Sequence, residues 1–400
     1  MKIDYLDMSW ADCVAAAVLV VLFLYQLYFY IRYIAAVGRR MRKEHKQKSE
    51  QTAVPMEQDS QLDLFGTQVR GVSVIVCAKN EEKNLQDYLP SLLEQDYPMY
   101  EVIVVNDGSE DGTQFVINDF VNRYPHCRTT FVPKQARVIS SKKLAITLGI
   151  KAARYDNLLF TDADCRPVSN QWISAMVQGL NEKDKTIVLG FGAYFSEPTL
   201  LNVLITYDTL FNGLQYMGLA LAGKPYMGVG RNLMYSKQLF MEHNGFAGIL
   251  GERAGDDDLF VNKVADKTNT AVVTVRDSLT WSPPKTSWKS WLQQKRRHVG
   301  VSPKYNDRTK RMLGLEPVTR GLWYISLIAA FAFGDWQVGA LAWLLMALRL
   351  GGQMAILNAA SKRWGGRTWG PEILWLDIVL PLITLWMLLT NRCKKRNQYW

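Results

Sequence analysis

The sequence predicts an α/β domain built on a mainly parallel sheet and flanked by transmembrane helices. Three observations lead there. Short apolar runs of strand type alternate with helically spaced segments between Val72 and Phe160; carboxylates stand at the ends of those runs; and long apolar stretches bracket the whole region.

The first stretch, Cys13 to Ile31, holds no charged residue. At 1.5 Å per helical residue it reaches roughly 28 Å, enough to cross a bilayer. Asp4, Asp7 and Asp12 precede it, and Arg32, Arg39, Arg40, Arg42, Lys43, Lys46 and Lys48 follow it. That order is the reverse of a secretory leader. By the positive-inside rule it puts the N-terminus outside and everything from Arg32 onward in the cytoplasm, with residues 1–35 as the anchor. Glu44 to Gln68 is polar, contains Pro55 and has little periodicity, so residues 36–70 are expected to be a cytoplasmic linker. The five cysteines, Cys13, Cys77, Cys127, Cys165 and Cys393, show no CxxC spacing, which argues against a disulfide framework or a zinc site. The net charge of +10 is clustered beside apolar segments. It therefore points to membrane lipid rather than nucleic acid, for which an interleaved basic and aromatic stripe is missing.

Val72 to Cys77 and Val102 to Val105 read as strands, with Leu85 to Leu93 between them at helical spacing. Ala145 to Ala153 then reads as a helix and Asn157 to Phe160 as a buried strand. Strand–helix–strand units of this kind form parallel sheets covered on both faces, and their ligands bind at the carboxyl ends of the strands. Residues 71–305 are expected to form this domain. Past Asn306 to Arg311 the chain turns apolar at Leu322 to Phe333, Val338 to Leu348 and Ile373 to Leu389, so residues 306–400 are expected to hold two or three membrane helices. Gly334 and Asp335 mark a turn, whereas Arg349, Asp377 and Pro381 interrupt the later segments. An odd count conflicts with the basic tail Arg392, Lys394, Lys395 and Arg396: either one segment is re-entrant or interfacial, or the tail breaks the rule.

Four motifs carry chemistry. Val104-Val105-Asn106-Asp107-Gly108-Ser109 is a strand ending in an acid and a turn, where Asp107 can accept hydrogen bonds from a ribose or base; a calcium loop starting at Asp107 fails because its twelfth position is Asn118. Phe160-Thr161-Asp162-Ala163-Asp164 closes a strand with two acids one residue apart, which repel unless a cation joins them. Such hard oxygen ligands suit Mg²⁺ or Mn²⁺ held with a diphosphate. Gly255-Asp256-Asp257-Asp258-Leu259 sets three acids at a helix start, where they complement the helix dipole, and where the repulsion of Asp256 and Asp257 favours a general base. Gln293-Gln294-Lys295-Arg296-Arg297-His298, after Trp288 and Trp291, is a basic, aromatic segment that can lie at a membrane interface or, through Arg296 or Arg297, neutralise a diphosphate. Gly228-Val229-Gly230 lacks the third glycine of a dinucleotide fingerprint. Ser141-Lys142-Lys143 opens a helix from which a lysine can reach a phosphate.

In this order and spacing, from Val72 to about Gly300, the residues resemble membrane-bound family 2 glycosyltransferases of GT-A fold, the group of cellulose, chitin and hyaluronan synthases and ceramide glucosyltransferases. The resemblance implies a Rossmann-like, mixed, mainly parallel sheet that binds a nucleotide sugar. Val74-Ile75-Val76-Cys77-Ala78-Lys79-Asn80-Glu81-Glu82 looks like the family's opening strand and loop, which implies that Ala78, Asn80 and Glu81 touch the nucleotide. Asp107 would bind the uridine-like part, Lys142 matches the lysine of the "GKxxALN" segment, Asp162 would contact the nucleotide, and Asp164 with Asp162 would hold the metal. Gly255-Asp256-Asp257 looks like the acid motif "GDD" or "TED", which implies Asp257 as base; an "EDxDL" register implies Asp256. Gln294 to His298 resembles QxxRW, with Gln294 and Arg297 implied at the acceptor or diphosphate, and His298 where the family has tryptophan. That departure puts processive synthesis in question.

The expected activity is inverting transfer of a sugar, from a UDP-sugar by the family's habit, to a hydroxyl of a glycan or lipid-linked acceptor, by an integral protein of the bacterial inner membrane with its catalytic domain in the cytoplasm. Single-sugar transfer to a lipid or polyprenyl carrier, and a non-catalytic membrane-tethered nucleotide-binding protein, are the alternatives.

Overall fold

The computed structural model describes residues 9–52, 69–133, 141–182, 184–252 and 254–395. The chain enters as one helical rod. Helix α1 (Trp10–Phe29) passes through a π-helical turn (Tyr30–Ile34) into α2 (Ala35–Thr52). The expected linker is therefore helical over its first part. Its Arg, Lys, Glu and Gln residues are good helix formers, and the helix is docked: buried Glu44 accepts the backbone N–H of Thr274 at 3.2 Å, and Arg40 pairs with Glu44 and Glu182 at 2.7 and 3.4 Å. Pro55 and the rest of the expected linker up to Gln68 lie outside the described residues.

The catalytic domain then follows the predicted alternation: β1 (Val72–Ala78), α3 (Glu82–Leu93), β2 (Tyr100–Asn106), α4 (Thr113–Arg123), β3 (Cys127–Phe131), α5 (Ser141–Ala152) and β4 (Asn157–Asp162). After β5 (Arg166–Pro167) come α6 (Trp172–Val177), β6 (Ile187–Leu189), β7 (Gly192–Tyr194), the long α7 (Leu200–Leu221), β8 (Leu233–Ser236), α8 (Lys237–Glu242), α9 (Asp258–Val264), β9 (Thr270–Val272), β10 (Thr280–Ser282) and α10 (Trp288–Val299). The main sheet has the order β3-β2-β1-β4-β8-β6-β9. Its pairs are parallel except that β8 runs antiparallel to β4 and β6, so the sheet is mixed and mainly parallel. A small sheet, β5-β10-β7, stands beside it.

Alternation along β1 shows why both faces are covered. Val72, Val74 and Val76 pack with Leu85 and Leu89 of α3, Val116 of α4 and Trp172 of α6. Ile75 packs on the other face with Ala145 and Ile146 of α5. Each such fully buried aliphatic side chain is worth about 1.5–3 kcal/mol. The register aligns the strand ends: Ala78 lies opposite Asn106, and Cys77 opposite Asp162. The three loops that leave β1, β2 and β4 therefore open on one rim.

After α10 come α11 (Asp307–Phe333), α12 (Trp336–Trp364) and α13 (Ile373–Lys395), each longer than its apolar run. Among the described residues, three helices are long and apolar enough to cross a membrane: Trp10–Lys46, Trp336–Trp364 and Ile373–Thr390. α11 carries Glu316 and Arg320 and packs its apolar half on α1 and α12 through Leu19, Trp323, Leu327 and Val338. This bundle is joined closely to the catalytic domain. A Cβ at Gly218 of α7 would stand 2.0 Å from the Tyr33 carbonyl oxygen, so only glycine permits that approach. Trp364, at the end of α12, stacks on Phe191 at 4.2 Å and donates its indole N–H to the Thr274 carbonyl. Trp386 of α13 lies beneath the Arg296 guanidinium of α10 at 4.8 Å, which sets the middle of α13 against the catalytic domain.

Candidate active site

The rim begins with two loops that knit together. Asn80 takes a left-handed conformation (φ 56°), tolerable for asparagine, and its side chain accepts the N–H of Glu110 at 2.8 Å while its own N–H donates to Ser109 Oγ. Asp107 is buried, and its N–H donates to the Ala78 carbonyl at 2.8 Å; Gly108 then turns at φ 65°. Glu81 is anchored through its N–H to Thr113 Oγ1. Burial, and then the charges of Asp164 and Asp162, push its carboxyl up, which places it beside the diacid motif.

At the end of β4, ligand atoms of Asp162, Asp164 and Cys165 lie within 4.8 Å of one another. Cys165 is a buried thiol pushed up to about 12 by burial and the two acids, and it sits 3.0 Å from Ser282 Oγ. The carboxylates are therefore the donors a hard cation would meet. Asp164 is raised by burial and by Asp162. Asp162 is also penalised by burial, but the Lys142 ammonium at 3.1 Å more than offsets this and holds it low. Lys142 reaches Asp256 as well, at 3.4 Å.

The neighbouring Lys143 does something else. It is fully buried, and its ammonium donates to the carbonyls of Glu252 and Ala254 at 2.6 and 2.9 Å, fixing the loop ahead of Gly255. Gly255 holds φ 97°, a conformation that L side chains avoid. Beyond it, Asp257 caps α9: Oδ1 accepts the Asp258 N–H at 2.8 Å and Oδ2 the Gly230 N–H at 2.7 Å. Burial and Asp256 push Asp257 up to about 6. Asp258 is buried against the Tyr305 hydroxyl at 2.9 Å and pushed up to about 8 by burial and Asp257. Lys142, Asp162, Gly230, Asp256 and Asp257 line one cleft.

α10 closes one side. Gln294 donates to the Tyr194 hydroxyl at 3.1 Å, and Lys295 pairs with Asp208 of α7 at 2.7 Å. Arg297 and His298 are exposed. Desolvation where the His298 ring faces the cleft, and then the cations Arg231, Arg297 and Lys295, push its pKa down and favour the neutral ring. Lys142, Asp162, Asp256 and Asp257 thus line one cleft, with Asp164 beside Asp162 and Asp107 just past the adjoining end of β2.

Sequence reasoning missed Arg231. Gly228-Val229-Gly230 was weighed only as a dinucleotide fingerprint, yet its loop delivers the N–H that holds Asp257 and, one residue on, a guanidinium whose charge is felt by Asp162 and Asp164. No local pattern marks that contact; its partners lie about 70 residues upstream.

Comparison with known proteins agrees with this geometry. Residues 73–243 match the model of Glycosyl transferase family 2. Over 97 residues the chain is 37% identical to poly-beta-1,6-N-acetyl-D-glucosamine synthase of Staphylococcus epidermidis (24% of this chain, 22% of that protein). Over 143 residues it is 30% identical to glycosyltransferase AglE of Haloferax volcanii (35% and 45%). The chain thus matches less than half the length of these two relatives. Mannosyltransferase PcManGT from Pyrobaculum calidifontis, solved with GDP-Man and Mn²⁺, superposes over 88% of this chain and 98% of its own with TM-score 0.52 and 20% identity, a likeness of fold. With the sheet order and the acids at its rim, these matches identify the chain as carrying a family 2 glycosyltransferase domain of GT-A fold, flanked by helices fit to cross a membrane.

Proposed function

We propose that the protein transfers a sugar with inversion from a nucleotide-sugar donor, a UDP-sugar by family habit, to a hydroxyl of a glycan or lipid-linked acceptor at the cytoplasmic face of the bacterial inner membrane. The observation that carries this is the meeting of Asp162 and Asp257, far apart in sequence, in one cleft, with Asp164 beside Asp162. Ala78, Asn80, Glu81 and Asp107 hold the nucleotide at the ends of β1 and β2. Asp164 and Asp162 hold Mg²⁺ or Mn²⁺; the fit rests on two crowded carboxylates, one raised by the other. When bound, such an ion supplies positive charge to the diphosphate.

Asp257 is the base in this reading. Two backbone N–H groups aim its carboxylate, and its raised pKa suits proton uptake near neutrality. It takes the proton of the acceptor hydroxyl, whose oxygen forms the new bond to the anomeric carbon while the bond to the diphosphate breaks on the opposite face. The electron pair leaves with the diphosphate, where Arg297 neutralises it. Asp256, paired with Lys142, keeps that lysine between the two acid motifs.

The packing of α10 on α13 favours the reading in which the acceptor is a lipid or polyprenyl carrier that receives a single sugar. A ladder of oligomeric products would rule this out. The deciding experiment measures nucleotide release by purified, lipid-reconstituted protein from UDP- and GDP-sugars with Mn²⁺, Mg²⁺ or chelator. Release from one donor that needs the metal and disappears in Asp164→Ala is expected. Nucleotide-sugar binding without release, across several acceptors, would instead favour the non-catalytic reading.

A further inference from the structure

Arg231 is built into the cleft from three sides. Its carbonyl accepts from Thr161 Oγ1 at 3.0 Å, one residue before Asp162, and from Thr280 Oγ1 at 3.1 Å. The preceding residue, Gly230, holds Asp257. The side chain therefore departs from a point tied to both the diacid strand and the base loop. It runs along Gly192, where a Cβ would lie 3.2 Å from that of Arg231, so the glycine opens the slot. Its guanidinium rests 4.2 Å over the Tyr194 ring, and the Tyr194 hydroxyl is itself held by Gln294 of α10.

Among the described residues the guanidinium forms no salt bridge. Nη1 donates only to neutral oxygens, Ala193 O at 3.3 Å and Ser282 Oγ at 3.4 Å. Among the described residues Nε and Nη2 bond no protein group, and no carboxylate forms an ion pair with it; Asp162 pairs with Lys142 instead, and Asp162 and Asp164 act on the guanidinium only as longer-range charges. A half-buried cation bonded only to neutral oxygens keeps hydrogen-bonding capacity for a ligand, and its planar fork of N–H groups matches two oxygens of a phosphate. We infer that Arg231 binds a phosphate group in the cleft and so helps decide which substrate is accepted, with Tyr194 and Gln294 as its positioning residues. This rests on the transferase reading. The phosphate belongs either to the donor's diphosphate or to an acceptor carrier.

The test uses full-length protein in detergent with Mn²⁺. Binding of UDP, GDP, uridine and guanosine is followed by calorimetry, and binding of a polyprenyl phosphate and its uncharged polyprenol by thermal shift. Arg231→Gln is expected to weaken a phosphate-bearing probe at least about tenfold, the scale of one charge-assisted hydrogen bond, and to leave nucleosides and polyprenol unchanged. Loss on the diphosphate assigns the donor; loss on the polyprenyl phosphate assigns the acceptor. Arg231→Lys should fall between wild type and Gln, and Tyr194→Phe should weaken the same probe by less. A folded Arg231→Gln that binds every probe as wild type does overturns the inference. Should that variant not fold, Arg231→Lys decides: weakened phosphate binding supports the inference, and wild-type binding overturns it. Wild-type protein that neither binds a nucleoside diphosphate nor releases nucleotide sinks the transferase reading, and this inference with it.

Discussion

The cleft and the helix bundle both gather charged side chains, but they balance them in opposite ways. Among the helices, Arg320 pairs with Glu316 and Asp377, and Arg349 pairs with Asp377, all at 2.8 Å. Tyr324 and Gln26 complete the set, and Glu316, Arg320, Arg349 and Asp377 are no more than 8% exposed. Two acids meet two cations, so the group is neutral and ties α11, α12 and α13 together. In the cleft, Asp162, Asp256 and Asp257 crowd around one lysine, while Asp164 and Arg231 stand beside them without an ion pair among the described residues. Charge satisfied within the protein builds a joint; charge left unbalanced at an open rim awaits a ligand.

Substitutions can break this contrast. The largest effect is expected for Asp257→Asn, which should lower turnover by about 10²–10⁴-fold, the range for loss of a general base, with little change in melting temperature. Nucleotide-release kinetics beside a melting curve check this, and the same measurement on Asp256→Asn decides between the two registers of the motif: if only Asp256→Asn abolishes turnover, the base is Asp256. Asp377→Ala should show the opposite profile, costing about 3–5 kcal/mol because it strands buried Arg349 and leaves Arg320 with Glu316 alone. Thermal unfolding in detergent reads that loss, whereas Asp164→Ala should melt no lower than wild type at neutral pH, since removing it relieves repulsion.

Titration sharpens the comparison. With Asp257 raised to about 6, the base is ionised above that pH, so kcat/KM should rise with pH up to about 6 and fall roughly tenfold per unit below it. A flat profile across pH 5 to 7 would argue against this base. Asp258, raised to about 8, gives a smaller effect on stability. Between the ordinary carboxylate range and pH 8 the folded chain keeps a proton that the unfolded chain has lost, so stability should decline as pH rises through that window. Asp258→Asn, which retains an acceptor for Tyr305, should flatten the decline in a series of melting curves.

Much of this was legible in the chain because it depends on local pattern. Val74 to Cys77 is an unbroken apolar run because β1 is central and covered on both faces, and Asp107 and Asp162–Asp164 stand at strand ends because parallel strands present their carboxyl ends together. Glu44 was misread as part of a linker, since nothing local shows that its carboxylate is buried against Thr274, 230 positions away. Arg349 and Asp377 looked like interruptions of apolar helices, and they are: each is tolerable only because the other is there.

The sequence by itself determined the layered sheet, the apolar helices around it and the acids at its rim, because hydrophobic period and turn chemistry act over a few residues. Only the tertiary structure decided that Lys142 spans two acid motifs while Lys143 holds a loop, that Gly230 aims Asp257, and that the Arg231 guanidinium bonds neutral oxygens and no carboxylate among the described residues. Those relations join segments tens of residues apart, and charge interactions depend on distance and burial rather than on order along the chain.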